Sequence, residues 1–392
     1  MRILHISDYF NTKLWYQEVF LAKEEVKNWD HVFVVASNRN YPYPNYEDSY
    51  QKLLWERNMK PWISKEEWIE IHKSKTLFEL PSSAFIIYLW ILKYIRKIKP
   101  DIICCHDLIK PNNIRAYIYK IFFNKNVKIV IDTHEAEYNT KIDTFVKKVY
   151  LSFRRLIFRP LIVGFSNKIV ATGPSEKKFA LKNFLKKNTK IDIVPLWADI
   201  ERFRPNDDVR ANMRKKYEIL DNEIVLINAW KINEGKKNKE LLEAFIKINK
   251  EIDNLRLFFI WNWDRDYIDN IKNIVKNESI ENKVVFIDFV ENDKLPDYLN
   301  MADIWVWPGS PSNIFFEAMS CGLPIILQRR EHAEALVANG NGILLDNWSP
   351  KEILDALHTL IRQNLKKVWE NSREIIERKF SWNIINKSFL LL

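Results

Sequence analysis

The stretch WPGSPSNIFFEAMSCGLPIIL, residues 307–327, decides how this chain is read. It follows an apolar run, DIWVW, that reads as a buried strand ending at Pro308. Residues 309–312 then form a loop. Ser312 or Asn313 can cap the next helix, because both side chains accept from free backbone N–H groups. The helix NIFFEAMSC should stop at Gly322, which tolerates a left-handed conformation, and Pro324 bars its continuation. Free N–H groups and the helix dipole make such a start a seat for an anion, phosphate above all. Glu317 lies four residues after Asn313, on the same helical face. A carboxylate there can accept from two vicinal hydroxyls, such as those of a ribose. The plain alternative is a capped surface helix with an ordinary surface glutamate.

The flanking sequence repeats the pattern. RILHIS, HVFVVAS, DIICCHD, KIVIDTH and KIVATG are short apolar runs, most of them separated by helical segments such as YQEVFLAKEEVKN. Runs apolar at nearly every position belong to parallel sheets covered on both faces. The alternation breaks at residues 191–205, IDIVPLWADIERFRP, and restarts with EIVLINAW, RLFFIWNW, VVFIDF, DIWVWP, PIILQ and GILLD. The fold class expected is therefore α/β: two Rossmann-like, doubly wound parallel-sheet domains in tandem, facing across a cleft. Ligands of such sheets bind at the carboxyl ends of the strands. Domain boundaries are set at 1–196 and 197–375, with a terminal amphipathic helix, 376–392, packing back on the first domain.

Composition narrows the function. Apolar residues make up 47% of the 392, enough for two real cores. Three cysteines, Cys104, Cys105 and Cys321, cannot build a disulfide framework, so a reducing, cytoplasmic setting is expected. The start MRILHISDYF lacks the features of a secretory leader. The run AFIIYLWIL, 84–92, is about half the length needed to cross a bilayer. A net charge of +10 favours anionic partners, although the lysines are spread along the whole chain. No Gly-x-Gly-x-x-Gly follows the first strand, which sets aside a nicotinamide oxidoreductase. Only the segment 147–159 approaches the basic, aromatic-interleaved face of a nucleic-acid binder, and no nucleic-acid partner is expected.

The segment ADIWVWPGSPSNIFFEAMSCGLPIIL, with VANGNGILL after it, resembles the donor-site region of the retaining glycosyltransferases of family 4, which have the GT-B fold. KIDIVPLWADIERFRP resembles that family's interdomain segment, and NAWKINEGKKNKELLEAF its strand–loop–helix bearing an Arg and a Lys. MRILHISDYF, VVFIDFVENDKLPDYLNMADIWV and the terminal FSW helix continue the likeness along nearly the whole chain. The resemblance implies transfer of a sugar from a nucleoside-diphosphate sugar, UDP or GDP favoured, to a hydroxyl of a glycan, glycolipid or lipid-linked acceptor, with the anomeric configuration kept. It implies a C-terminal nucleotide-sugar domain, an N-terminal acceptor domain, and no permanently bound cofactor.

Carried over residue by residue, Lys231 stands where the family usually has Arg and Lys236 where it has Lys, both toward the donor diphosphate. Lys237 is a one-residue alternative. An ammonium lacks the planar fork of a guanidinium, so the phosphate contact changes. Glu317 is the second motif glutamate, and the first falls at Gly309, where no carboxylate exists. Ser312, Asn313 and Ile314 offer backbone N–H groups on the donor side, and Val290 joins them. His134 matches the histidine placed beside the reacting sugar. It and Lys231 and Lys236 are the catalytic candidates, with His106, Glu135 and Trp15 on the acceptor side. Trp15 occupies a place where the family often has glycine. Charge building on the departing diphosphate can be stabilised by fixed cations and N–H dipoles alone, and no motif has metal-ligand spacing. A His106–His134 metal pair with Asp107 or Glu135 fits metal-site spacing poorly. The segment 147–165, basic and aromatic, could lie on an anionic membrane, a peripheral attachment on the inner face that suits a lipid-linked acceptor. Gly309 and the glycine-free first loop also motivate a second reading: a catalytically degenerate GT-B protein that binds nucleotide sugar as a partner or regulatory subunit.

Overall fold

The computed structural model describes residues 1–13, 16–40, 56–80, 85–137, 139–140, 145–195, 197–232, 237–262, 265–288, 290–307, 313–330 and 333–390. Within these ranges the side chains at 146–148, 150, 230–232, 261, 262, 265, 292 and 313 are not described. The chain divides into two compact units, residues 1–195 with 385–392, and residues 196–384.

The first unit runs β1 (Arg2–Ser7), α1 (Gln17–Lys27), β2 (His31–Ser37), β3 (Trp62–Glu66), β4 (Ile69–Ser74), β5 (Thr76–Leu80), β6 (Phe85–Tyr88), α2 (Ile91–Ile98), β7 (Ile102–Cys105), α3 (Ile114–Phe122), β8 (Lys128–Thr133), α4 (Phe145–Phe165), β9 (Lys168–Ala171), α5 (Pro174–Asn183) and β10 (Asp192–Ile193). Its sheet has the order β10-β9-β8-β7-β1-β2-β4-β3, parallel except for β3 against β4, and β5 and β6 form a separate antiparallel pair. β1 and β7 are buried at nearly every position because helices cover both faces. On one face Leu4, Ile6, Ile103, Ile129 and Ile131 share a core with residues of α2, α3, α4 and α5. On the other, Val19 and Ala22 of α1 pack on Val32 and Val34.

The second unit runs α6 (Asp207–Lys216), β11 (Ile224–Ile232), α7 (Asn238–Asn249), β12 (Leu255–Asn262), α8 (Arg265–Asn277), β13 (Val284–Ile287), α9 (Leu295–Met301), β14 (Ile304–Trp307), α10 (Asn313–Ser320), β15 (Ile325–Gln328), α11 (Ala333–Leu336), β16 (Gly342–Leu345), α12 (Pro350–Ile361), α13 (Leu365–Lys379) and α14 (Trp382–Leu390). The sheet order is β13-β12-β11-β14-β15-β16, all parallel. Asp303, just before β14, staples α6 to this sheet. It accepts from Arg210 Nη2 at 2.6 Å, from Arg214 Nη1 at 3.2 Å and from the Val225 N–H at 2.7 Å. Gly342 opens β16 where a Cβ would lie 2.4 Å from the Ile325 carbonyl oxygen, so that glycine serves close strand packing rather than a turn. Gly340 does turn the chain, with φ of 69°. The segment 376–392 is not one helix: α13 ends at Lys379, and α14 starts at Trp382. Trp197 packs against Trp382, the rings tilted by 44° with centroids 4.2 Å apart. From Ile385 onward the chain belongs to the first unit, where Ser388 accepts from Lys168 Nζ at 2.5 Å through its carbonyl.

Candidate active site

Three neighbouring strands of the first unit bring polar groups together. β1 carries His5, β7 ends one residue before His106, and β8 carries Asp132 and ends one residue before His134. Asp132 accepts from His106 Nδ1 at 2.7 Å and from the Asp107 N–H at 2.9 Å, and His134 Nε2 lies 3.8 Å away. His106 Nε2 meets His5 Nδ1 at 3.0 Å, and His5 Nε2 meets Glu25 Oε2 at 2.7 Å. The two imidazoles lie nearly parallel, 6° between planes. His5, Glu25 and Asp132 are wholly buried, while the His134 side chain keeps 36% of its surface exposed.

The charges follow from this geometry. Burial lowers the His106 pKa, but the Asp132 charge and hydrogen bond outweigh it and push it up to about 9. Burial also works against the Asp132 anion, yet His106 and then His134 hold its carboxyl well below the usual range. His106 is therefore an imidazolium with two N–H donors, one for Asp132 and one for His5 Nδ1. His5 must then be the Nε2–H tautomer, donating to Glu25. Asp132 also raises the pKa of His134 against the effect of burial, so the exposed end of the chain leans toward the cation.

A second group lies alongside. Lys110 Nζ sits 3.2 Å from Asp8 and 3.5 Å from Asp107, and Asn112 Nδ2 donates to Asp8 at 2.7 Å. Burial and the Asp107 charge push Glu135 up to about 7, opposed by Lys110, Arg154 and His134. Glu135 can therefore hold or release a proton near neutrality. Among the described residues, the ligand atoms that converge most like a metal site belong to His5, Glu25 and Cys104, all within 4.8 Å. That set suits a metal poorly: both His5 nitrogens are spent on hydrogen bonds, and burial keeps the Cys104 thiol protonated.

In the second unit the site is built around α10. Leu323 N–H bonds the Ala318 carbonyl and Gly322 N–H the Met319 carbonyl, with Gly322 left-handed at φ 90°. This is a Schellman stop, and it fixes where the helix ends. Ile314, Phe315, Phe316, Ala318 and Met319 are all buried, and Phe315 stands edge-on to Trp307. Glu317 is enclosed with them at 8% exposure. Burial pushes its carboxyl up to about 8; Arg202 pulls the other way and Asp199 adds to the rise. Asn228, fully buried in β11, donates to the Val306 carbonyl at 2.7 Å and accepts from Asn238 Nδ2 at 3.0 Å. Asn238 opens α7, so this bond ties the start of α7 to β11. Lys237 is the left-handed residue before α7, and its ammonium bonds Glu240 at 3.0 Å.

Of the sequence-derived candidates, His106, His134 and Glu135 fall together in the first unit. Glu317 and Ile314 share α10, and Val290 is buried beyond the end of β13. Lys231 lies on β11 and Asn313 starts α10, but their side chains lie outside the described set. Trp15, Lys236, Gly309 and Ser312 lie outside the described residues. Sequence reading missed His5, Glu25, Asp132, Asn228 and Asn238. A polar residue inside an otherwise apolar strand, as in RILHIS, KIVIDT and EIVLINAW, was the signal available.

Comparison with known proteins now bears on this geometry. The model of the family described as "Glycosyl transferases group 1" matches residues 209–381, which include Glu317, Asn228 and the β11–α7 loop. Residues 209–381, somewhat less than half of the chain, are thus similar to that family. An uncharacterized glycosyltransferase of Methanocaldococcus jannaschii is 25% identical over 300 residues, 73% of each chain. A GDP-mannose-dependent alpha-(1-6)-phosphatidylinositol monomannoside mannosyltransferase of Mycobacterium tuberculosis is 23% identical over 208 residues, 50% of this chain and 53% of that one. The structure of Anabaena HepE in complex with UDP superposes with a TM-score of 0.71 at 14% identity, covering 99% of this chain and 98% of that one. The fold is GT-B, a pair of Rossmann-like units.

Proposed function

We propose that this chain is a glycosyltransferase that moves a sugar from a nucleoside-diphosphate sugar to a hydroxyl of a glycolipid or lipid-linked acceptor, with retention of configuration. The observation that carries the reading is Glu317. The fold encloses a carboxyl on a short, firmly terminated helix and holds it uncharged near neutrality, as suits a group whose partners arrive with a ligand. Ribose hydroxyls would donate to it and favour its anion. Lys231, on β11, and Lys236, between β11 and α7 in the chain, would face the diphosphate, where negative charge builds as the anomeric C–O bond breaks. The UDP bound by HepE and the GDP-mannose dependence of the mycobacterial relative support a nucleotide-sugar donor. That relative's phosphatidylinositol-based acceptor supports a lipid one.

In the first unit, His134 would hydrogen-bond a sugar hydroxyl, oriented and charged by Asp132. Glu135, titrating near neutrality, would serve the acceptor hydroxyl. As the new C–O bond forms, the acceptor proton leaves for such a base or for the departing diphosphate, so no metal is needed for the balance of charge. Attachment to a membrane surface through 147–165 would bring the enzyme to such an acceptor; no helix among the described residues is long and apolar enough to cross a membrane. The test is direct. Thermal shift against UDP-, GDP-, ADP- and CDP-sugars identifies the donor, because a ligand that binds only the folded state raises its stability. Release of nucleoside diphosphate with lipid extracts then reports transfer, and Glu317→Ala or Lys236→Ala should lower it sharply. Donor binding without release under any acceptor would leave the degenerate, nucleotide-sugar-binding reading that Gly309 motivates.

A further inference from the structure

The helices α2, α3 and α4 lie on one face of the first sheet, since Ile91 and Ile95, Tyr117 and Tyr119, and Phe158 and Ile162 enter one core. Their outward sides therefore form a common surface, and its composition is unusual. The chain has 51 Asp and Glu, yet these three helices contain none, against ten Lys and Arg. The outward side of α4 is also apolar where a water-facing helix should be polar. Phe145 is 80% exposed, Phe153 62% and Leu156 75%, with Val149 and Val163 completing the stripe at helical spacing.

The apolar surface continues onto neighbouring elements. At the end of α3, Phe122 is exposed and Phe123 lies beneath the Arg96 guanidinium of α2, 4.6 Å from its ring. On the other side, Arg154 of α4 stands over Phe85 of β6, and Phe85 meets Phe78 of β5 edge-on at 6.1 Å. Leu77, Phe78 and Leu80 of that hairpin are exposed as well. Lys93 and Lys97 on α2 add exposed cations.

From this we infer that the α2–α3–α4 face, with the β5–β6 hairpin at its border, is a docking surface for an anionic lipid bilayer. Apolar side chains would enter the interface while the cations meet headgroup phosphates. Charge decides the occupant: three helices without one carboxylate fit a sheet of phosphates. The surface lies on the flank rather than at the strand ends. In a parallel sheet the helix after a strand starts on the side of that strand's carboxyl end, so α4, which follows β8, starts on the side of the sheet to which His134 belongs. The inference deepens the lipid-acceptor reading and rests on it only for its purpose.

The experiment uses the full chain and vesicles of phosphatidylcholine, with or without about a third of phosphatidylglycerol. Sedimentation with the anionic vesicles is expected, at least tenfold stronger than with the neutral ones and weakened by salt. Phe153→Ser with Leu156→Ser should reduce it at least tenfold, with melting temperature unchanged because both side chains are exposed. Arg155→Glu should weaken it further. Trp29→Ser, at a site 92% exposed beyond α1, should leave it intact. Equal binding to neutral and anionic vesicles, or no loss in the double variant, overturns the inference. So does a dimer that the double variant dissociates while vesicles stay unbound. Transfer to a water-soluble acceptor is measured separately. If it proceeds while vesicles are ignored, this inference fails and the enzymatic reading stands; vesicle binding without any transfer gives the reverse.

Discussion

The two units solve the problem of a buried charge in opposite ways. In the first, Asp132 stays an anion in a dry site because His106 gives it a full counter-charge, and His5 and Glu25 extend the hydrogen bonds inward. In the second, among the described residues Arg202 favours the Glu317 anion, but burial wins, so the carboxyl keeps its proton near neutrality. The lesson is that the first site is electrically complete as folded, whereas the second waits for its partners. Removing a paired buried charge is expensive, but removing one that is already neutral is not.

The sharpest way to break that contrast is a pair of near-isosteric amides. Asp132→Asn strands a buried imidazolium and should cost about 3–5 kcal/mol in urea unfolding at pH 7. Glu317→Gln, at pH 6, should cost less than about 1 kcal/mol. Equal costs would dissolve the distinction. Function should answer in reverse. Glu317→Ala should lower transfer roughly 100-fold, about 2.7 kcal/mol, read as nucleoside diphosphate released per enzyme.

pH separates the units by window. Both Glu317 and His106 have raised folded pKa values, so each contributes stability that is present below its unfolded pKa and fades as pH rises through the folded one. For Glu317 that window runs from the ordinary 4.5 to about 8, and for His106 from the ordinary 6.5 to about 9. The ligand-free protein should therefore lose up to about 1.4 kcal/mol per pH unit per group inside each window. Asp132, with a depressed pKa, contributes above the usual carboxylate range and loses that contribution only in acid. Urea melts from pH 5 to pH 8 check this, and Glu317→Gln should flatten the lower part. The smallest effect is calorimetric. If nucleotide binding turns Glu317 into an anion, something under about one proton should be released near pH 7. Titrations in two buffers of different ionisation enthalpy would show it, and Glu317→Gln should erase it.

The pattern of apolar runs made the strands of both sheets legible, down to RILHIS as β1 and GILLD around β16, because parallel strands covered on both faces leave a continuous signature. The helix stop at Gly322 was legible for a similar reason: only a residue without Cβ suits that conformation cheaply. The block from β3 to β6 was not. Its strands β3 and β5 are partly exposed and alternate with polar residues, and AFIIYLWIL proved to be strand β6 and the opening of α2, parted by a left-handed Trp90. His106 and His134 stood out because they end strands. Asp132 and His5, which govern their charge, sit inside strands, where a single polar letter looks like an interruption. Which strands become neighbours decides their meaning, and that is a property of topology rather than of spacing. The acid-free character of α2, α3 and α4 was open to a count, but only the shared core shows that the three form one surface.

The chain leaves the first unit at Pro195 and comes back to it at Ile385. The intervening 189 residues are in effect an insertion. During synthesis the first unit must therefore wait, without the Lys168 bond to the Ser388 carbonyl and with the seat of Phe389 open, until the whole second unit has emerged. Folding of the earlier-made half is thus closed by the later-made end. A ribosome stalled anywhere between would hold a nearly finished lobe lacking its final clasp.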